Sequence, residues 1–269
     1  MTDRRLGRAD LHIHSLASDG VSSVAQILEH AQRVGLNVIA ITDHERVDAA
    51  HAARAMAAAR GLDIEVIVGE EITTRGGHLV ALFIDKRIKP WGSLKSSIAR
   101  VHEQGGLAIV AHPLVPYPLC ASGKSIRKLL DEADATFHPD GIEALNPTTG
   151  GTRWGARVPA FVNEVGVAAL GSSDAHRAED VGHVVTTFPG QSATDLRTAI
   201  LGRTTNWQGT AYPLGHQLKT FRRQLGKNAA AVRDGVRGTV LRDGTGRDLG
   251  YPGGRRRPAR LDESELGLP

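Results

Sequence analysis

The stretch Asp10-Leu11-His12-Ile13-His14 sets three ionisable side chains at alternate positions. In extended backbone alternate side chains share a face, so Asp10, His12 and His14 point one way and Leu11 and Ile13 the other. Two imidazoles two residues apart on a strand can chelate one metal ion. A surface strand that happens to carry histidines is the ordinary alternative. Three polar groups on the inner face of a buried strand, however, are costly unless something binds them. The pattern therefore reads as metal binding.

Further ionisable residues gather after other apolar runs. Ser18-Asp19-Gly20 is by itself an Asp-Gly turn, and its interest lies in following the first strand closely. NVIAIT ends in Asp43-His44-Glu45. IEVIVGEEITT offers Glu71, with Glu70 as a competing ligand. If Thr73 pairs with His78 across the short loop, Glu71 and His78 project from one face as near neighbours. LAIVA ends in His112-Pro113, where the proline stops the strand and leaves the histidine at its tip. Asp174 and His176 repeat the spacing of two. Half of the twelve histidines (His12, His14, His44, His78, His112, His176) and three carboxylates (Asp19, Glu71, Asp174) thus fall at strand ends on one expected rim. Nine such ligands exceed the needs of one ion and, with a bridging carboxylate, suit two or three. His30, His51 and His102 fall in helical patterns and read as surface residues.

The elements that must position these residues alternate. Strands are expected at 9–14, 37–42, 64–73, 78–84, 107–111, 141–145 and 167–171. Helices are expected at 22–34, 47–60, 93–104, 125–135, 154–165 and 193–201. Ser22, Ser93 and Ser125 are candidate caps, and Gly35, Gly61, Gly105 and Gly166 candidate stops. Alternation over seven strands argues for a parallel α/β architecture. A barrel is favoured over an open sheet because the polar residues gather at strand ends. Only Thr74-Arg75-Gly76-Gly77 separates the third and fourth strands, so the fourth should run antiparallel and the barrel should be irregular.

Composition sets the outer bounds. The chain has 269 residues, 41% of them hydrophobic, enough for a core without staples. Cys120 is the one cysteine, which excludes an internal disulfide and a cysteine-based zinc site. The first residues lack the apolar stretch of a signal peptide, and a cytoplasmic location is expected. Residues 1–213 carry 21 basic and 23 acidic residues, against 12 and 6 in residues 214–269. The body should therefore be one domain over 1–213. The segment 214–269 should be a basic, helical or disordered tail able to touch nucleic acid or an anionic surface.

DLHIHS, SDG, TDH, GEEIT, GH, AHP and SSDAH, in this order, resemble the polymerase-and-histidinol-phosphatase (PHP) family of metal-dependent phosphoesterases. The resemblance runs from Arg8 to Thr205. It implies a distorted seven-stranded (β/α) barrel holding up to three divalent ions: manganese, zinc or iron, with magnesium an option. One ion would sit on His12, His14, Glu71 and Asp174. A second would share Glu71 and add His78 and His112. A third would use Asp19, His44 and His176. Asp10 and Asp43 would orient ligand histidines. IEALNP resembles a strand of the small stand-alone members, which include nucleotide phosphatases and short-oligonucleotide exonucleases.

The expected reaction is hydrolysis of a phosphate ester of a nucleotide, short oligonucleotide or other small metabolite. Metal ions would acidify a water whose hydroxide attacks phosphorus. Asp174, His44 and His176 are the catalytic candidates, the two histidines for proton transfer. Arg46, Arg75, Arg153 and Arg177 could grip substrate phosphate. Two other readings stand beside this one. An amidohydrolase would direct the same chemistry at a carbonyl. A nucleic-acid-binding or regulatory module would keep its metals as structure, although 4% aromatic residues offer few platforms for stacking bases.

Overall fold

The computed structural model describes residues 6–212, and the expectations for 214–269 fall outside the described residues. The strands are β1 (Leu6–Asp10), β2 (Val38–Ile41), β3 (Glu65–Thr74), β4 (Gly77–Leu82), β5 (Leu107–Val110), β6 (Gly141–Leu145), β7 (Ala168–Gly171), β8 (Val184–Pro189) and β9 (Asn206–Gly209). They join in one sheet ordered β7-β6-β5-β4-β3-β2-β1-β8-β9. The sheet curls into a nearly closed barrel. At the seam the Thr186 hydroxyl, on β8, accepts from Gly171 N at 3.1 Å and donates to Gly171 O at 2.8 Å, tying β8 to β7.

Among the described residues nine strands replace the expected seven. β8 and β9 are the additions, and β8 lies antiparallel to β1. The antiparallel β4 is as expected, in the register that pairs Thr73 with His78. β4 also meets β5 antiparallel, while β1–β2, β2–β3, β5–β6 and β6–β7 are parallel.

Among the described residues six α-helices pack outside: α1 (Val24–Arg33), α2 (Asp48–Ala59), α3 (Leu94–Glu103), α4 (Gly123–Leu130), α5 (Val158–Val165) and α6 (Ala193–Leu201). α1 buries Val24, Ile27, Leu28 and Ala31, the helical spacing of one face. Its cap is Ser23, in a reciprocal box with Gln26; the neighbouring Ser22 instead accepts from Ala178 N and fixes the loop after β7. α4 is capped by Ser122, whose hydroxyl accepts from Ser125 N, so the helix begins earlier than its sequence suggests. Gly35, Gly61, Gly105 and Gly166 all have positive φ and end the helices they follow.

β1 stops at Asp10, short of the expected His14, because the ladder with β2 ends there. The chain stays extended all the same. Thr42 N donates to Ile13 O at 2.9 Å, His14 N donates to Ala175 O at 2.8 Å, and Ala175 N donates to His12 O at 3.2 Å. Leu11 and Ile13 are buried in the barrel wall, and His12 and His14 face the other way.

Phe188 on β8 is fully buried, with its ring against Gly7 of β1. Phe188→Ala should cost about 3–5 kcal/mol, read as a lowered melting temperature by circular dichroism. An unchanged melting temperature would contradict a packing role for the closing strand.

Candidate metal centre

The strand ends bring all nine expected ligands together. Glu71 is at the centre. Its Oε2 lies 3.2 Å from His12 Nε2, 3.3 Å from His14 Nε2 and 3.3 Å from His44 Nδ1. Its Oε1 lies 2.7 Å from His78 Nδ1 and 3.2 Å from His112 Nε2. Asp174 Oδ1 is 3.6 Å from His12 Nε2 and 3.4 Å from His14 Nε2. Asp19 Oδ2 is 3.0 Å from His176 Nε2 and 3.8 Å from His44 Nε2. Three groups have ligand atoms close enough to share an ion: His12–His14–Glu71, His14–Asp19–His176 and His44–Glu71–His78.

The donor set fits cations. His12 Nδ1 is 2.8 Å from Glu143 Oε1 and donates to it, which leaves the Nε2 lone pair of a neutral ring facing two carboxylates. His176 Nδ1 likewise donates to Asp174 O at 2.9 Å, turning Nε2 toward Asp19. His112 sets Nδ1 3.4 Å from the Cys120 thiol and Nε2 toward Glu71. His12 Nε2 and both ring nitrogens of His14 are buried with no hydrogen-bond partner. Acceptors facing acceptors at 3.2–3.6 Å repel unless a positive charge stands between them. Ligand atoms about 2.0–2.2 Å from a common ion have this kind of spacing.

Protons supply that charge when ions do not. Burial opposes ionisation of Glu71, and His78, His44 and His12 outweigh it and hold the carboxyl well below its usual range. Burial also opposes protonation of His14, but Asp19, Asp174 and Glu71 push it up to about 10. His12 rises likewise, through Glu71, Glu143 and Asp174. His44 goes the other way: burial, with the charges of His14 and His78, holds it down to about 4.

Glu143 is the residue that sequence reasoning missed. It is buried on β6, accepts from the His12 ring, takes His112 N at 2.8 Å on its other oxygen, and accepts from Asn146 Nδ2 at 3.1 Å. The signal was an ionisable residue inside the apolar run Gly141–Leu145. Asp10 and Asp43, expected to orient ligand imidazoles, hold ligand-bearing backbone instead. Asp10 accepts from Ser173 N, Ser173 Oγ and Gly182 N; Asp43 accepts from Ser15 N, Ser15 Oγ and Ser18 Oγ. Glu70 turns away from the cluster to accept from Ile88 N at 2.7 Å, and burial pushes its carboxyl up to about 8. His102 is partly buried rather than a surface group, bridging Thr136 O and Asp140.

The four arginines separate by partner. Arg46 is clamped on Asp48, Arg177 lies 3.4 Å from Glu179, and Arg153 stacks over Trp154. Arg75 is exposed and lines a cavity bounded in part by the β3–β4 turn.

Comparison with known proteins agrees with this geometry. The PHP domain model matches residues 10–141, and the PHP-associated model matches residues 154–205. An uncharacterised protein of Methanocaldococcus jannaschii is 35% identical over 150 residues, covering 52% of this chain and 81% of its own. A 5'-3' exoribonuclease of Haemophilus influenzae is 38% identical over 104 residues, only 37% of either chain. Among solved structures, a two-domain protein of Bacteroides vulgatus containing a PHP-like metal-dependent phosphoesterase matches with TM-score 0.62. It is 21% identical, over 77% of this chain and 65% of that one. An amidohydrolase of Chromobacterium violaceum matches with TM-score 0.55 at 20% identity, over 72% and 96%. These two likenesses speak for the fold.

Two outcomes follow for metal titrations. Glu143→Ala should weaken divalent-ion affinity by about 10–100-fold, read by isothermal titration calorimetry. Because its carboxylate neighbours push His14 up to about 10 and a ligand ring must be neutral, ion binding should release protons. Apparent affinity should therefore rise from about pH 6 to about pH 8. Calorimetry in buffers of different ionisation enthalpy measures the release, and zero release would contradict the proton-for-ion exchange.

Proposed function

The chain belongs to the PHP family, and on that premise we propose that it hydrolyses a phosphate ester of a nucleotide, a short oligonucleotide or another small phosphorylated metabolite. The observation that carries this reading is the convergence of five imidazoles on the two oxygens of Glu71, flanked by Asp174 and Asp19. The exoribonuclease relative adds weight to a nucleotide or oligonucleotide substrate.

In this reading His12, His14, Glu71 and Asp174 would hold one divalent ion, Glu71, His78 and His112 a second, and Asp19, His44 and His176 a third; His44 Nδ1 also lies within reach of the second set and His14 Nδ1 of the third. Bound there, such ions would acidify water toward neutrality and neutralise phosphoryl oxygens, the two things ester hydrolysis most requires.

The protein's own residues set the rest. The side chains of His12 and His14 are fully buried, whereas His44 is 24% and Asp19 23% exposed. Substrate therefore approaches from the side of Asp19, His44 and His176. His176 is held by its Nδ1 bond to Asp174 O, so its Nε2 is the fixed atom that would either ligate the third ion or, with that ion absent, pass a proton to the leaving group. His44, held near neutral, serves better as a ligand than as an acid. Of the four arginines expected to grip phosphate, Arg75 is the one left without a carboxylate or ring partner among the described residues.

Asp174→Asn and His12→Ala should each lower phosphoester turnover by at least about a thousand-fold, with far-ultraviolet circular dichroism unchanged. The assay is phosphate release with manganese across a panel of phosphoesters, run beside a panel of amides. Turnover that survives in both variants, or release from amides at rates matching the esters, would remove the basis for this reading.

A further inference from the structure

A cavity of about 520 Å³ is bounded by Thr74, Arg75 and Gly77 at the β3–β4 turn, by Trp91, and by Cys120 and Ser122 ahead of α4. It adjoins the ligand cluster at two points. Gly77 directly precedes His78, and the Cys120 thiol is 3.4 Å from His112 Nδ1. Its volume falls in the range of small-molecule sites, roughly 300–1,000 Å³.

Trp91 is the unusual residue of this wall. It is 55% exposed, and its φ of 64° places a bulky aromatic in left-handed backbone. Such a conformation persists only where the surroundings impose it. Here Trp91 N donates to Thr73 O at 2.7 Å, and Arg75 N donates to Gly92 O at 2.9 Å. Two backbone bonds thus hold the Trp91 main chain beside the turn that presents His78. Folding gains little from an exposed indole on disfavoured backbone, whereas a ligand with a flat aromatic face would use both. Arg75, exposed on the same wall, adds a planar donor group suited to phosphate.

We propose that this cavity receives the nucleoside of the substrate, with the base stacked on Trp91 and Arg75 on the next phosphate of an oligonucleotide. The proposal rests on the reading of the Glu71 cluster as the seat of the scissile phosphate. It narrows the substrate class from small phosphoesters to nucleotides. A sugar phosphate without a base would leave the indole face unused.

The test compares non-hydrolysable phosphonate analogues of AMP and of ribose 5-phosphate, titrated by calorimetry into the full chain loaded with manganese. The ratio of their affinities isolates the base within each protein. In the wild type the AMP analogue should bind about ten-fold tighter or more. Trp91→Asn, chosen because asparagine tolerates left-handed backbone, should bring the ratio near one, and Trp91→Phe should keep most of it. Arg75→Ala should weaken a dinucleotide analogue several-fold more than the AMP analogue. Equal affinities in the wild type, or a ratio that Trp91→Asn leaves unmoved, would overturn the base site while the phosphoester reading stood. If neither analogue bound and no phosphoester were hydrolysed, the reading of the cluster would fall and take the base site with it.

Discussion

Five histidine rings approach one buried carboxylate, three on Oε2 of Glu71 and two on Oε1. A single negative charge cannot balance five imidazolium ions, and five neutral rings cannot all donate to it. Lone pairs that face carboxylate oxygens across a little over 3 Å need cations between them. The barrel is organised to hold this arrangement. β3 carries Glu71, and the hairpin to β4 places His78 diagonally opposite it. The extended segment after β1 offers His12 and His14 from the other side.

Positioning of this kind works against local preference. Glu45, His112 and Asp174 all have positive φ, each at or just beyond a strand end in the cluster. Non-glycine residues in that region cost about 1–3 kcal/mol each. Buried carboxylates hold the backbone in place around them. Asp10 ties down Ser173, next to Asp174; Asp43 ties down Ser15, next to His14; Glu143 holds His112 N. None of the three faces Glu71. They fix the loops at the barrel mouth through hydrogen bonds to backbone N–H groups, as a site that must hold ions in fixed geometry requires.

Much of this was legible in the residues because strand geometry is strict. A period of two fixed the common face of His12 and His14 before any coordinates. A four-residue connection was too short for a crossover, so β4 had to turn back. Parity across that hairpin then coupled Glu71 to His78 and left Glu70 to the opposite face. Other features were harder to see. β9 is a short edge strand with exposed residues and no apolar alternation. β8 has a β-branched run, but its place against β1 depends on closure, which no local pattern records. The arginines looked alike by position, although Asp48 and Glu179, each two residues beyond an arginine, were visible in the sequence as competing partners. Glu143 was passed over because one carboxylate in an apolar strand carries no spacing to read.

Burial divides the cluster into two parts with different demands. His12, His14 and Glu71 are cut off from water, where Coulomb interactions are strong and an uncompensated charge is costly. That inner part is intolerant of vacancy, so a proton or an ion must always be present. Asp19 and His44 lie about a quarter exposed, where solvent screens the same charges and competes for the same ligand positions. That outer part can give up a ligand to substrate without stranding a buried charge. A phosphoester needs both. In the proposed reaction the inner ligands would keep the charge that balances the transferred group, and the outer ones would admit the group and let it go. The aromatic wall at Trp91 adjoins the cluster at His78 and His112.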